Sequence, residues 1–315
     1  MPKTPLRYPG GKSRAVKHIL PLIPEDCKEF CSPFLGGGSL ELAVAEEYGA
    51  KVYGYDLFKP LVWFWQALLE DPNQLLEEIE KRQQKLIEYT DDPAKFEAGE
   101  LYNKIRRGEV RGIPREEFED AREIVNSLQT KPRPKGRKLF KRAAQYYIVN
   151  RSSFSGATTS GGWSWKASWN RMTTTTLDRL REFKVKNFTV ECLDFKEAIA
   201  RHPDAFLYCD PPYMLGSKSW IEEHVDERTG KVIPGYWTNR EVLYGSDGDL
   251  HGPFDHQTLH EVLSQRSNWV LSYNDCPAIR DLYKGYEIRE AEWSYGMKNV
   301  STKKMGSSSE LLIIG

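Results

Sequence analysis

Ala205-Phe206-Leu207-Tyr208-Cys209-Asp210-Pro211-Pro212-Tyr213 runs straight from an apolar strand into a proline turn. Its first five residues suit a buried strand of a parallel sheet, and the prolines stop that strand by removing backbone donors and fixing φ. In open α/β sheets, ligands bind beyond such carboxyl ends. A carboxylate there can accept from an amino group, the carbonyls of a Pro-Pro turn lack neighbouring donors, and a tyrosine ring can stack on a flat base. An Asp-Pro turn that merely closes a strand is the alternative, and context decides.

Outward from this strand the chain alternates between strand and helix signals. Upstream lie a strand at Phe188 to Cys192 and a helix at Phe195 to Arg201; downstream come a helix from His256 to Gln265, a strand from Asn268 to Tyr273, a helix from Ala278 to Tyr283, and strands near Tyr286 to Ala291 and Glu310 to Ile314. At the amino end, Ser13 is expected to cap a helix running to Leu22. A strand at Cys27 to Ser32, a loop at Gly36 to Ser39, a helix at Leu40 to Tyr48 and a strand at Lys51 to Asp56 then begin a βαβ pattern. Between Phe58 and Thr176 the alternation lapses into an aromatic helix at Leu61 to Leu69, charged helical segments through Tyr89 and a basic, proline-bearing stretch. The expected architecture is α/β and Rossmann-like: a seven-stranded domain formed by residues 1–57 and 177–315, a mostly helical insertion at 58–176, and a lid-like insertion at 214–255.

The 315 residues carry 45 Lys plus Arg and 45 Asp plus Glu, so any nucleic-acid footprint must be local. Cys27, Cys31, Cys192, Cys209 and Cys276 include no Cys-x-x-Cys pair, which fits free thiols in a reducing compartment. No apolar run approaches the roughly 18 residues of a membrane span. The expectation is a soluble, cytoplasmic protein.

The loop Ser32-Pro33-Phe34-Leu35-Gly36-Gly37-Gly38-Ser39 lets a ligand approach the backbone just before a helix, and Asp56 at the end of the next strand is placed to accept ribose hydroxyls. Dinucleotide binding competes, but the third glycine of Gly-x-Gly-x-x-Gly falls on Glu41. A plain tight turn is the other reading of the glycines, and Asp56 favours a cofactor.

Tyr8-Pro9-Gly10-Gly11-Lys12, the Ser32 to Ser39 loop, Asp56-Leu57, Asn150-Arg151-Ser152-Ser153-Phe154-Ser155-Gly156, Asp194-Phe195, Asp210-Pro211-Pro212-Tyr213 and Glu310-Leu311-Leu312-Ile313-Ile314 occur in the order found in Dam-type (D12 class) DNA adenine-N6 methyltransferases. The chain resembles that family from about Tyr8 to Ile314, weakly within 60–140 and 214–255. The resemblance implies S-adenosyl-L-methionine as methyl donor. Tyr8, Gly10, Gly11 and Lys12 would lie beside its methionine end, with Phe34, Gly36, Gly38 and Ser39 in the enclosing loop. Asp56 would take the ribose, and Asp194 and Phe195 the adenine. Asp210 and Pro211 would accept the amino hydrogens of an extruded adenine, Pro212 would shape the turn and Tyr213 would stack on the base, with Asp210 also reaching the cofactor. Read alone, Lys12 is equally a solvated charge and Phe195 a core aromatic.

Residues 131–142 hold seven basic side chains and no acidic one, which makes Lys131, Arg133, Lys135, Arg137, Lys138 and Arg142 candidate DNA contacts. A solvated loop is the alternative. Arg106, Arg107, Arg111 and Arg115 extend that patch. By resemblance Asn150 and Arg151 border the target-recognition region; Phe154 is a wedge or a core residue, and Trp163, Trp165 and Trp169 stack on bases or pack the seam. His256 and His260 share a helix face without a third ligand, so no metal is expected, and His224 and His251 carry no signal. Expected partners are double-stranded DNA with a flipped adenine and, for a restriction–modification role, a cognate endonuclease. Cytosine-N4 methylation and a catalytically inactive DNA-binding relative remain the alternatives.

Overall fold

Short runs that are apolar at almost every position become strands when both sheet faces are covered. Central strands of this kind, flanked by more polar edge strands, make a seven-stranded sheet in the computed structural model, which describes residues 3–8, 10–85, 111–154, 158–214, 254–292 and 309–315, together with the backbone of four short strands between 219 and 238. The seven strands are β1 (Glu29–Ser32), β2 (Lys51–Tyr55), β3 (Phe188–Glu191), β4 (Phe206–Cys209), β5 (Trp269–Asn274), β6 (Glu287–Glu292) and β7 (Ser309–Ile314), in spatial order β6-β7-β5-β4-β1-β2-β3. The first five strands run parallel, whereas β7 lies antiparallel between β5 and β6. Strand order reverses between β1 and β4, so a crevice opens beyond their carboxyl ends.

Alternating side chains feed two apolar clusters. Cys31, Leu207, Leu271 and Ile313 pack with the helices Phe195–Arg201, His256–Ser264 and Pro277–Leu282. Phe30, Phe206, Val270 and Leu312 join a second cluster that also takes in the helices Ser39–Glu47 and Lys59–Glu70. That cluster continues without a break into the helices Pro72–Glu80, Arg115–Ser127 and Arg137–Ser152. The last of these is mostly buried and packs on Lys59–Glu70, Pro72–Glu80 and Arg115–Ser127, with Tyr147 stacked on Phe64 at 5.5 Å and an interplanar angle of 5°. Among the described residues no helix is long and apolar enough to cross a membrane.

Two local expectations are corrected. Ser13 caps nothing: residues Lys12–Arg14 form a 3-10 turn ahead of a four-residue helix, and the Ser13 hydroxyl meets the Ser39 hydroxyl at 2.9 Å instead. The charged helix expected to reach Tyr89 stops at Glu80, because buried Gln83 donates to the Met172 carbonyl (3.1 Å) and Gln84–Lys85 pair antiparallel with Arg111–Gly112. Residues 86–110, with Arg106 and Arg107, lie outside the described residues, as do Pro9, residues 155–157 and His251. Of the lid expected at 214–255, only Met214, Phe254, Asp255 and the backbone of four short strands are described; these pair Ser219–Ile221 with Tyr236–Thr238 and His224–Val225 with Val232–Ile233.

The glycine loop after β1 needs its glycines for internal packing. Gly36 and Gly38 have φ of +48° and +65°, and a Cβ would come within 2.8 Å of the Tyr8 ring at Gly36 and 2.7 Å of the Trp65 ring at Gly38. Gly49 has a similar φ of +63° but open space around it. Gly49→Ala should therefore cost about 1 kcal/mol from backbone strain, and Gly38→Ala about 3 kcal/mol because the Trp65 ring must also move. Urea denaturation of both variants checks this, and equal losses would contradict the Trp65 contact.

Candidate active site

The crevice between β1 and β4 collects charge from both ends of the chain. Asp210 follows β4, Lys12 lies in the 3-10 turn near the amino end, Tyr213 ends the proline turn, and Glu310 sits in β7. Lys12 Nζ donates to Asp210 Oδ1 (2.7 Å), Tyr213 Oη (3.0 Å) and the Gly10 carbonyl (3.1 Å). The Tyr213 hydroxyl donates in turn to Glu310 Oε1 at 2.6 Å, and Glu310 Oε2 stands 3.9 Å from Lys12 Nζ. Lys12 is 5% exposed and Glu310 1%, so neither is a solvated charge, whereas Asp210 keeps 22% of its side chain open. Among the described residues nothing donates to Asp210 Oδ2 or to the Pro211 carbonyl, which leaves two acceptors at one edge of the turn. Asn274 Nδ2 holds the far end of the turn by donating to the Met214 carbonyl at 3.1 Å.

Burial raises the Asp210 pKa, while the Lys12 charge and hydrogen bond oppose that rise. Burial, with Asp210 and Glu310 nearby, lifts the Tyr213 phenol well above its ordinary range, so it remains a donor. Sequence reading assigned Tyr213 only a stacking face and gave Glu310 no task beyond its strand. The signal for Glu310 was a lone carboxylate in an otherwise apolar strand.

Beside this cluster, the loop after β1 lies against the end of β2: Leu35 N donates to the Tyr55 carbonyl (2.8 Å) and Gly36 N to Asp56 Oδ2 (3.0 Å). Asp56 Oδ1 accepts from Phe58 N at 2.9 Å. Asp194 caps the helix Phe195–Arg201 through Lys196 N (2.9 Å). Phe195 stacks on Phe34 with centroids 5.7 Å apart, and Phe254 closes a trio at 5.6 Å from Phe34 and 5.5 Å from Phe195. Phe254, from the far side of the 214–255 insertion, was not legible as a site residue because its neighbours in sequence carry no motif. The Gly10 carbonyl accepts from Lys12, Gly11 N donates to the Tyr8 carbonyl at 3.0 Å, and Ser39 opens the helix after Gly38.

The candidate DNA contacts fall in two places. Lys131, Lys135 and Lys138 are exposed, but Arg133 donates to Gln66 Oε1 (2.6 Å) and lies 3.7 Å from Glu70, Arg137 pairs with Glu78 at 3.0 Å, and Arg142 donates to Gln145 (2.9 Å). Asn150 is buried and clasps the Arg7 backbone, while Arg151 donates to the carbonyls of Arg171 and Pro5. Phe154 is 66% exposed, so it is not a core residue. Trp163 Nε1 donates to the Ile113 carbonyl at 3.0 Å, and Trp165 and Trp169 pack on each other at 5.5 Å. His256 Nδ1 bonds the Tyr273 hydroxyl, and His260 packs edge-on against Tyr283. Among the described residues no three His, Cys, Asp or Glu side chains gather around a possible metal position.

Beneath the crevice, buried Glu41 accepts from the Ser32 hydroxyl at 2.6 Å. Burial pushes its carboxyl up to about 7 from 4.5, against the opposing pull of the Ser32 bond. The folded state therefore keeps a proton that the unfolded chain gives up above pH 4.5, so stability falls as pH rises from there to about 7 and stays low above it. Glu41→Gln keeps the Ser32 bond without the charge. It should be more stable than the parent at pH 8 by about 3 kcal/mol and near parity at pH 4.5, checked by denaturation at both pH values.

Comparison with known proteins bears on this geometry. Residues 8–221 match the family model for D12 class N6 adenine-specific DNA methyltransferase. The chain is also similar to "Type II methyltransferase M1.LlaDCHI" of Lactococcus lactis subsp. cremoris, with 30% identity over 79 residues, which is 25% of this chain and 27% of that relative. The chain thus spans about a quarter of the length of the curated relative it matches. The family match takes in Lys12, the loop after β1, Asp56, Asp194 and the proline turn, more than half of the whole, and the chain belongs to the D12 class N6 adenine-specific DNA methyltransferases.

Proposed function

We propose that the protein transfers a methyl group from S-adenosyl-L-methionine to the N6 amino group of an adenine flipped out of double-stranded DNA. The observation that carries this reading is the Lys12–Asp210–Tyr213–Glu310 cluster, with two open acceptors, standing at the switch point beside a glycine loop and a ribose-type carboxylate. The residues present fit the cofactor: Asp56 offers acceptor lone pairs for ribose, the Phe34–Phe195–Phe254 trio beside Asp194 offers a flat aromatic wall for adenine, and two carboxylates against one ammonium suit a cationic sulfonium. When bound, the cofactor supplies a methyl group already activated by its sulfonium.

The chain's own residues hold and orient the amine. An exocyclic adenine nitrogen is a poor nucleophile because its lone pair is delocalised into the ring. Asp210 Oδ2 and the Pro211 carbonyl accept its two hydrogens, which turns the lone pair out of the ring plane. Lys12 opposes the burial that raises the Asp210 pKa and fixes its rotamer through Oδ1. Tyr213, anchored at its hydroxyl by Lys12 and Glu310, presents a ring of set orientation for stacking, which offsets part of the few kcal/mol that flipping costs. Asp210 then accepts the proton as the nitrogen becomes cationic. In this reading residues 1–57 and 177–315 are catalytic, 58–176 recognise the target, and 214–255 cover the flipped base. The name of the Lactococcus relative supports a restriction–modification role beside a cognate endonuclease.

The test incubates the protein with labelled cofactor and duplex DNA and digests the product to nucleosides. Label in N6-methyladenosine is expected; label in N4-methylcytidine, or none, would sink the reading. Asp210→Asn should lower transfer roughly 100- to 1,000-fold while cofactor affinity measured by calorimetry changes little. For the exposed part of the basic run, Lys135→Gln with Lys138→Gln should reduce the salt slope of DNA binding by about one unit per lost phosphate contact, and an unchanged slope would mark that run as a solvated surface.

A further inference from the structure

Three arginines meet where the amino-terminal segment crosses the end of the helix Arg137–Ser152. Asn150 grips the Arg7 backbone, accepting from its N–H at Oδ1 (3.0 Å) and donating from Nδ2 to its carbonyl (2.6 Å). The neighbouring Arg151 donates from Nε and Nη2 to the Arg171 carbonyl (3.2 and 2.9 Å), from Nη1 to the Pro5 carbonyl (3.4 Å) and from Nη2 to Thr176 Oγ1 (3.4 Å). Arg171 Nη1 donates to the Ser153 carbonyl at 3.0 Å. Each of these partners is neutral. Among the described residues no carboxylate pairs with any of the three guanidiniums, and that of Arg7 bonds nothing.

Many arginines elsewhere hold a carboxylate, among them Arg82, Arg122, Arg181, Arg201, Arg280 and Arg289, and half-buried Arg266, which binds only carbonyls, stands without a second arginine beside it among the described residues. The three clustered ones are all half-buried. Burial, together with the charges of Arg7 and Arg151, lowers Arg171 to about 10; burial and Arg151 act on Arg7 in the same sense. Like charges gathered in partial shelter from water are unfavourable until an anion joins them, and guanidinium forks match phosphate oxygens in geometry. Exposed Phe154 stands three residues beyond Arg151, its backbone fixed by a hydrogen bond to the Gly162 carbonyl at 2.8 Å. Guanidiniums beside an exposed ring are the pairing that single strands favour.

We propose that Arg7, Arg151 and Arg171 form a phosphate site that grips the backbone of the DNA strand carrying the target base. The proposal rests on the DNA reading above and adds to it a site independent of the basic run at 131–142. Its position suits a phosphate flanking the flipped nucleotide, because Arg7 and Lys12 are five positions apart and an extended chain of that length spans at most about 18 Å. Arg151 and Arg171 also tie backbone carbonyls, so they set the geometry of the site; Arg7 supplies the free fork.

Phosphate contacts are indifferent to sequence, so unrelated duplexes serve as the probe. Fluorescence anisotropy across a salt series should give a slope lower by about 0.9 for Arg7→Gln, with equal affinity loss on every duplex, and Arg7→Lys should restore the slope. Arg171→Gln should act likewise; thermal melting reports whether it folds, and Arg7→Gln leaves the Asn150 clasp intact because that clasp uses only backbone. An unchanged slope in Arg7→Gln, while the Lys135 and Lys138 variants lower it, overturns this site and leaves the DNA reading standing. A loss confined to one duplex sequence overturns the phosphate assignment in favour of base reading. A parent protein that binds no duplex overturns both readings.

Discussion

A lysine ammonium at 5% exposure is tolerated only where anions and acceptors surround it, and the crevice is built around that requirement. Lys12 draws Asp210 from β4, Tyr213 from the proline turn and Glu310 from β7 into one cluster. Each partner serves a second purpose. Asp210 keeps one oxygen open, and Tyr213 is held at its hydroxyl so that its ring is left as a face. Removing the ammonium would leave two carboxylates in a sheltered crevice, an arrangement that raises the pKa of at least one of them. The geometry of the proposed site and the local stability therefore share one interaction.

The sheet explains why the cluster can exist. Parallel β1 and β4 end side by side at the reversal of strand order, which opens space above their last residues. Antiparallel β7 enters between β5 and β6 and brings Glu310 opposite Asn274, itself the residue that holds the Met214 carbonyl. The glycine loop is shaped from within: Tyr8 and Trp65 occupy the space that side chains at Gly36 and Gly38 would fill, and Trp65 Nε1 donates to the Gly36 carbonyl at 3.2 Å. Trp65 belongs to the helical region, so the wall of the crevice is braced by the same helix that packs Phe64 on Tyr147.

Periodicity and turn residues made the sheet legible: all seven strands lie where strand signals were read, with ends shifted by a residue or two. The helix at Phe195–Arg201 falls at the bounds read for it, and Asp194 proves to be its cap. Less legible were features made by distant partners. Ser13 has the chemistry of a cap but is claimed by Ser39, and Gln83 ends a helical pattern because Met172 offers its carbonyl. Asp210 announced itself through the prolines beside it, whereas Glu310 and Phe254 acquire meaning only from the fold. In the basic run, charge density was visible but not neutralisation: Arg137 is bound to Glu78, a residue 59 positions away. Arg7 and Arg171, 164 positions apart in the sequence, gave no cluster signal at all.

The placement of Glu310 on β7 has a consequence in time. Lys12 and Asp210 are 198 residues apart, and Tyr213 and Glu310 a further 97, so the charge set closes only through contacts of very long sequence separation. Such contacts form late because loop-closure entropy opposes them until the rest of the sheet is in place. A chain that has folded through β4 already holds the glycine loop, the proline turn and the lysine, yet lacks the carboxylate that anchors the tyrosine. On the proposed site, methyl-transfer competence is thus a property of the finished sheet, and its appearance during refolding reports the docking of the last strand.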